Sequence, residues 1–153
     1  MKRSEKKLGD ILKEKGLISE VQLDAALKEQ FKTKEFLGAI LLRKRLLKEN
    51  DLAAVLSEQF GLAVVSLKDR YIDWNFVKEF GASLILDHRC FPVERDDWSV
   101  TIALANPLDA WAIKKAEEEA RGLILKLVLA TQSDLDEVIQ RYQQFRRRSI
   151  RLE

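Results

Sequence analysis

The hydrophobic positions in the first part of the chain recur at helical spacing, and the whole pattern then appears a second time. Residues 7–30 align without a gap on residues 36–59, at a constant offset of 29. The matched positions are Leu8, Gly9, Leu12, Leu23, Leu27 and Gln30 in the first copy, and Leu37, Gly38, Leu41, Leu52, Leu56 and Gln59 in the second. So many matches at one offset indicate an internal repeat.

Each copy predicts a helical hairpin made of a short helix, a turn and a longer helix. In the first copy Gly16 is placed to end the short helix, and Ser19 with Gln22 three residues later predicts a capping box. In the second copy Asn50 is the predicted N-cap of the longer helix. Two such hairpins predict a four-helix subdomain over residues 1–60.

The pattern changes after Gly61 to short extended stretches that alternate with helices. The interpretation is a strand or linker at 62–67, two short helices within 74–88, two strands within 90–105 joined by a turn at 95–97, a helix from 109 to about 121, a strand within 123–130, and a last helix from 131 through 142. The order β-β-α-β-α predicts a small sheet subdomain over residues 61–145, followed by a basic tail at 146–153 that is a solvated end or linker. The predicted fold class is therefore α+β.

The composition argues against several classes of function. The net charge of +2 is too small for a DNA- or RNA-binding protein. One cysteine and one histidine provide neither a zinc site nor a Cys/His nucleophile pair, and no GxxxxGK[ST] loop is present. We therefore expect no catalytic residue, no metal, no cofactor and no enzyme activity. Without a signal peptide or an apolar run of about 18 residues, we expect a cytoplasmic protein that does not insert into the membrane.

The repeat also carries polar groups suited to a nucleotide. Gln30 and Gln59 stand on apolar faces, and a glutamine amide can pair with a purine edge as both donor and acceptor. Leu23 and Leu27, one and two turns before the first glutamine, offer a flat apolar surface to the plane of a base. The Leu-Gly pair at the start of each short helix offers backbone N–H groups to a phosphate. The doubled set suits a ligand with two purines and two phosphates. The same spacing also suits plain packing of helical hairpins, with the glutamines ending helices at the surface.

The doubled motif resembles the MshEN-type domain, as does the stretch 91–113 further along. That family forms the N-terminal part of type II secretion and type IV pilus assembly ATPases, and many of its members bind cyclic di-GMP. The resemblance implies a cyclic di-GMP-binding regulatory domain. The ligand-binding residues that it implies are Lys7, Leu8, Gly9, Leu23, Leu27 and Gln30 in the first copy, and Phe36, Leu37, Gly38, Leu52, Leu56 and Gln59 in the second, with Arg45 as a candidate additional contact.

Three positions depart from the family motif. Lys7 stands where the family has arginine, which keeps the charge and loses the planar guanidinium. Phe36 stands at the equivalent place in the second copy, and Arg45 replaces a glycine.

These departures favour an alternative function, a nucleotide-independent docking domain that recruits a secretion ATPase to an inner-membrane partner. A third interpretation is a sensor attached to a regulator or kinase. The partners implied by the resemblance are cyclic di-GMP, the catalytic domain of the ATPase and an inner-membrane assembly protein. The last of these would hold the chain peripherally at the inner membrane.

Overall fold

The computed structural model describes residues 7–152, with side chains up to residue 150, and it divides between Leu62 and Ala63 into two compact units. We call residues 7–62 the repeat unit and residues 63–152 the sheet unit. The helices of the repeat unit are α1 (Leu8–Glu14), α2 (Glu20–Thr33), α3 (Leu37–Arg43) and α4 (Glu49–Phe60). The elements of the sheet unit are α5 (Trp74–Val77), α6 (Ala82–Leu86), β1 (Phe91–Arg95), β2 (Ser99–Leu104), α7 (Ala110–Glu119), β3 (Ile124–Leu129) and α8 (Gln132–Leu152). The predicted α+β class is confirmed.

The repeat unit consists of two helical hairpins with the same register. α1 and α3 begin and end at positions that are 29 residues apart, and α2 and α4 begin with the same separation. No strand interrupts either copy within the described residues, so the predicted pair of hairpins is confirmed. Leu12, Ile40 and Leu41 are fully buried and form part of the core of this unit.

The two long helices of the repeat unit begin differently. The Ser19 hydroxyl accepts a hydrogen bond from the Gln22 N–H at 3.1 Å, and the Gln22 side chain accepts one from the Ser19 N–H at 2.9 Å, which confirms the capping box. In the second copy the N-cap is Lys48, whose side chain makes no capping bond. The prediction of Asn50 as the N-cap is therefore wrong. The repeated packing register fixes where α4 begins, and it places Asn50 inside the first turn.

The sheet unit is a three-stranded sheet in the order β1-β2-β3, covered on both faces. β1 pairs antiparallel with β2, and β2 pairs parallel with β3 through the crossover helix α7. One face packs against α7 through residues that include Val100, Ile102 and Ala116. The other face packs against α8 through residues that include Ala103 and Leu135. The parallel β2–α7–β3 connection accounts for the helix on one face, and α8, which follows β3, covers the other.

The segment at 62–67 was predicted as a strand or a linker. It adds a single bridge, Val64 with Leu129, at the end of β3. The Val65 N–H donates to the Leu129 carbonyl, and the Leu129 N–H donates to the Ala63 carbonyl, both at 2.8 Å. No strand in the described residues pairs with the rest of this edge of β3.

The last helix is longer than predicted. α8 continues to Leu152, so the predicted end at Tyr142 is wrong, and residues 146–152 of the predicted basic tail are helical; residue 153 lies outside the described residues. Tyr142 and Phe145 continue the apolar stripe that packs on the sheet, and arginine is a good helix former that is favoured near a helix C-terminus. Among the helices at residues 7–152, none is long and apolar enough to cross a membrane.

Candidate functional site

Two equivalent ion pairs join the two copies of the repeat. The Lys44 ammonium lies 2.8 Å from the Glu29 carboxylate, and the Lys15 ammonium lies 2.9 Å from the Glu58 carboxylate. Each residue of the second pair is 29 positions from its counterpart in the first, so the long helix of each copy holds the short helix of the other. Such a reciprocal exchange is what an approximate twofold relation between the copies produces.

The Glu29–Lys44 pair extends into a small charged cluster. The Arg43 guanidinium lies 2.7 Å from Glu29 and 3.1 Å from Glu35. Hydrogen bonds from Lys44 and Arg43 lower the pKa of Glu29, and the bond to Glu29 raises the pKa of Arg43. The cluster therefore ties α2 to α3 through acids that are already engaged by basic side chains.

Glycines let the two helices of each hairpin touch. A Cβ atom on Gly9 would lie 2.7 Å from Cδ1 of Leu23, and one on Gly38 would lie 2.9 Å from Cδ2 of Leu52. Both distances are far shorter than a carbon–carbon contact. Close packing is a sufficient reason for the Leu-Gly pair of the motif, independent of any phosphate.

The structure sorts the predicted site residues into three groups by exposure. Those that are buried are Leu8, Gly9, Leu23, Leu37, Gly38, Leu52, Leu56 and Gln59. Gln30 and Phe36 are half-buried, while Lys7, Leu27 and Arg45 are exposed. The exposed group offers the atoms that a ligand reaches without rearrangement of the core.

The two predicted glutamines have different surroundings. The Gln30 amide nitrogen donates to the Glu35 carbonyl at 3.2 Å, across the connection between α2 and α3. Gln59 is buried, with 6% of its surface exposed. The Gln30 contact agrees with the packing alternative, in which the glutamine closes a helix end.

Only the first copy presents an open apolar face on its long helix. Phe31 is 77% exposed, whereas Phe60, its counterpart at the offset of 29, is 8% exposed. An open cavity of about 520 Å³ lies on this face, lined by Asp24, Leu27, Lys28, Phe31 and Lys32. Sequence reasoning missed Phe31, although the match between Phe31 and Phe60 was a usable signal.

Arg45 occupies the backbone position that the motif reserves for glycine. Its φ is 59°, close to the 72° of Gly16 at the same place in the first copy. The turn therefore requires a left-handed residue in both copies. Arg45 lines a second cavity of about 530 Å³, which shares no residue with the cavity on α2. Lys7 is the N-cap of α1 and has extended backbone.

Comparison with known proteins identifies the relatives of the chain. The family model for the MshEN domain matches residues 60–149. A solved structure of MshE with cdg is 29% identical, with a TM-score of 0.79 over 90% of this chain and 99% of that chain. Because the sheet unit is less than two thirds of the chain, a match of this extent also includes much of the repeat unit.

Two crystal forms of the N-terminal domain of XpsE are also similar. They are 23% and 24% identical, with TM-scores of 0.70 and 0.58, and each match covers 92% of this chain and 96% or 97% of the other. At these identities the likeness is one of fold. A comparison with curated protein sequences gave no match. The family match spans more than half of the chain and includes the stretch 91–113 on which part of the resemblance rests, and the chain therefore belongs to the MshEN domain family.

Proposed function

We propose that this chain is a cyclic di-GMP-binding regulatory domain of a type II secretion or type IV pilus assembly ATPase. The observation that carries the proposal is the reciprocal ion pairing of Glu29 with Lys44 and Glu58 with Lys15. Cyclic di-GMP is itself twofold symmetric, with two guanines and two phosphates, so a twofold-related pair of hairpins suits it. The likeness to MshE with cdg supports the same ligand.

Lys7 supplies the ligand with a cationic contact, and the Gln30 amide hydrogen-bonds the edge of a base. Lys7 is exposed, so its ammonium is available to a phosphate. Gln30 donates one N–H to the Glu35 carbonyl, and the residue is half-buried. Phe36 is half-buried next to the Gly38 backbone and offers the second copy an aromatic surface instead of a charge.

Equilibrium binding of fluorescently labelled cyclic di-GMP tests these roles. We expect Lys7→Ala to weaken binding and Lys7→Arg to tighten it, because guanidinium binds phosphate through two parallel hydrogen bonds. Gln30→Ala should lose about tenfold in affinity for one buried hydrogen bond. Lys13→Ala, an exposed lysine at the other end of α1, is the matched control. Unchanged affinity in both Lys7 variants and in Gln30→Ala would contradict the assignment of these residues.

A second candidate function is nucleotide-independent docking of a partner protein, and the open edge of β3 favours it. Leu129 directs its N–H and carbonyl groups toward the Val64 segment, whereas Ile124 and Ala130 bond to the side of β2. By strand alternation Leu125 and Leu127 direct their backbone groups toward the open edge. An apolar edge strand with free backbone groups is a site for strand addition.

Amide hydrogen exchange tests the docking function. The partner is the cytoplasmic segment of an inner-membrane assembly protein, added to the full chain. Strand addition predicts that the Leu125 and Leu127 amides exchange rapidly in the free chain and become protected in the complex. The Leu129 amide, bonded to Ala63, should be protected in both states and serves as the internal control. Binding that leaves both leucine amides unprotected would exclude this edge.

A further inference from the structure

The open edge of β3 offers its backbone groups at alternate residues. The Leu129 N–H points toward Ala63, so by alternation Leu125 and Leu127 direct their N–H and carbonyl groups to the same side. Both ends of this edge are already engaged. Leu129 is bonded to Ala63 at one end, and at the other the Leu123 N–H donates to a carbonyl of the preceding turn. Leu125 and Leu127 are therefore the residues of β3 that an added strand can pair with.

These bounds fix how two copies of the edge would pair with each other. About a twofold axis perpendicular to the sheet, the two β3 strands run antiparallel. The register that bonds both free residues of each strand sets Leu125 opposite Leu127 of the other copy. Lys126 then faces Lys126 of the other copy in the non-hydrogen-bonded pair, where the Cα atoms approach to about 4.5 Å. A shift of register in either direction requires Leu123 or Leu129, whose N–H groups are already bonded.

Lys126 brings an uncompensated charge to this position. Its side chain is exposed, and among the described residues it forms no ion pair. Backbone hydrogen bonds from Trp98 and Ser99 lower the pKa of Asp96, and the nearby Lys126 charge contributes to the same effect. That carboxylate is held in its own turn by those bonds, at 2.8 and 2.7 Å. Like charges that face each other directly destabilise a strand pair, and lysine on an edge strand prevents such pairing.

We propose that Lys126 determines which strand the open edge of β3 accepts. It excludes a second copy of this chain and selects an extended segment that places an aspartate or glutamate opposite it. Glu94, Thr101 and Lys126 are cross-strand neighbours in one row of the sheet, so the next position in the row adjoins an ammonium group. Opposite charges in facing positions stabilise a strand pair. The inference rests on the docking function proposed above and names the chemistry of its partner.

Mixing two charge variants of the full chain tests the exclusion of a second copy. Neither the wild type nor Lys126→Glu should pair with itself, because each strand would face its own charge, whereas a mixture sets an ammonium opposite a carboxylate. Adding unlabelled Lys126→Glu to ¹⁵N-labelled wild type should shift the Leu125 and Leu127 amide resonances, with association about tenfold tighter than that of the wild type with itself. Lys114→Glu reverses an exposed lysine on α7 and is the matched control, which should leave these amides unshifted.

Two short capped peptides test the chemistry of the partner. Both alternate valine with threonine, and they differ at the central residue, which is glutamate in one and lysine in the other. The wild type should bind the glutamate peptide about tenfold more tightly than the lysine peptide, read from the same two amides. Lys126→Glu should reverse this preference, which a loss of folding or of edge pairing would not do.

The outcomes separate this inference from the docking function. Equal association of the wild type with itself and with Lys126→Glu would overturn the exclusion of a second copy, and equal binding of the two peptides would overturn the selection of an acid. If neither the mixture nor a peptide at millimolar concentration shifts the Leu125 and Leu127 amides, the whole inference falls. Should the inner-membrane segment still protect these amides from exchange, equally in the wild type and in Lys126→Glu, the docking function stands without it.

Discussion

Leu27 and Leu56 hold the same place in the two copies of the repeat, yet Leu27 is 42% exposed and Leu56 is 1% exposed. The backbone repeats and the ion pairs repeat, whereas the exposure of this face does not. Both copies contribute to the core, but at this face the second copy buries apolar side chains that the first copy leaves accessible. This division lets stability and ligand binding be separated by matched substitutions.

Truncating these two leucines to alanine should lower the free energy of unfolding by unequal amounts. Leu56→Ala leaves a cavity in a buried position and should lower the free energy of unfolding by about 2–5 kcal/mol. Leu27→Ala should cost less than about 1 kcal/mol because its side chain is already partly solvated. Urea unfolding followed by circular dichroism measures both. All three tryptophans lie in the sheet unit, so their fluorescence does not report on this region. Equal costs would contradict the asymmetry.

Exchanging the residue at the left-handed turn position should change the stability of the chain in opposite directions in the two copies. Arg45 has a φ of 59°, where glycine avoids the steric cost of a Cβ atom, so Arg45→Gly should stabilise the chain by up to about 1 kcal/mol. Gly16→Arg introduces the same cost at a φ of 72° and should destabilise by a similar amount. Thermal unfolding of both variants and of the double exchange measures the effect. A destabilised Arg45→Gly would indicate that the arginine side chain makes a compensating contact.

The Glu29 cluster should make stability depend on pH. Lys44 and Arg43 lower the pKa of Glu29, so its contribution is present above its unfolded pKa of about 4.3 and disappears as the pH falls through the lower folded value. We expect the difference in unfolding free energy between wild type and Glu29→Gln to be constant from neutral pH to about 5, and to shrink below about 4. Glu118→Gln, an exposed carboxyl in the sheet unit, is the control. A difference that grows on acidification would contradict this sign.

The Cys90 thiol should react very slowly with thiol reagents in the folded chain. The thiol is fully buried, and burial, with a further contribution from the Asp109 charge, raises its pKa to about 12. Very little thiolate is present near neutral pH, and the sulfur is shielded from reagents. A thiol reagent such as Ellman's reagent should react slowly with the native chain and rapidly in urea. Because the chain has one cysteine, the signal has one source. Equal native and unfolded rates would show that the segment opens.

The repeat was predictable because its periodicity, turn glycine and capping box are local features. The capping box of Ser19 with Gln22 follows directly from their spacing. The start of α4 was missed because Asn50 is a better cap than Lys48 by local preference, and the packing of the duplicated hairpin overrides that preference. The end of α8 was missed because arginine-rich sequence suits a solvated tail and a solvated helix face equally well.

The candidate site was only partly predictable for the same physical reason. Leu27 and Leu56, like Phe31 and Phe60, are the same residue type at matched positions of the repeat, and residue type does not distinguish an open face from a closed one. Exposure depends on what packs against the helix. From the sequence, Gly9 suits an anion contact and close helix packing equally well, and the structure adds that Leu23 lies close to the position that a Cβ atom would take.

The claim that this domain binds cyclic di-GMP can be tested by isothermal titration of the wild-type chain with cyclic di-GMP, with cyclic di-AMP as the comparison ligand. We expect a saturable heat for cyclic di-GMP, much weaker binding of cyclic di-AMP, and an affinity that falls with added salt because Lys7 is exposed to screening. Absence of any heat with cyclic di-GMP at high micromolar concentration, in both the wild type and Lys7→Arg, would contradict the claim.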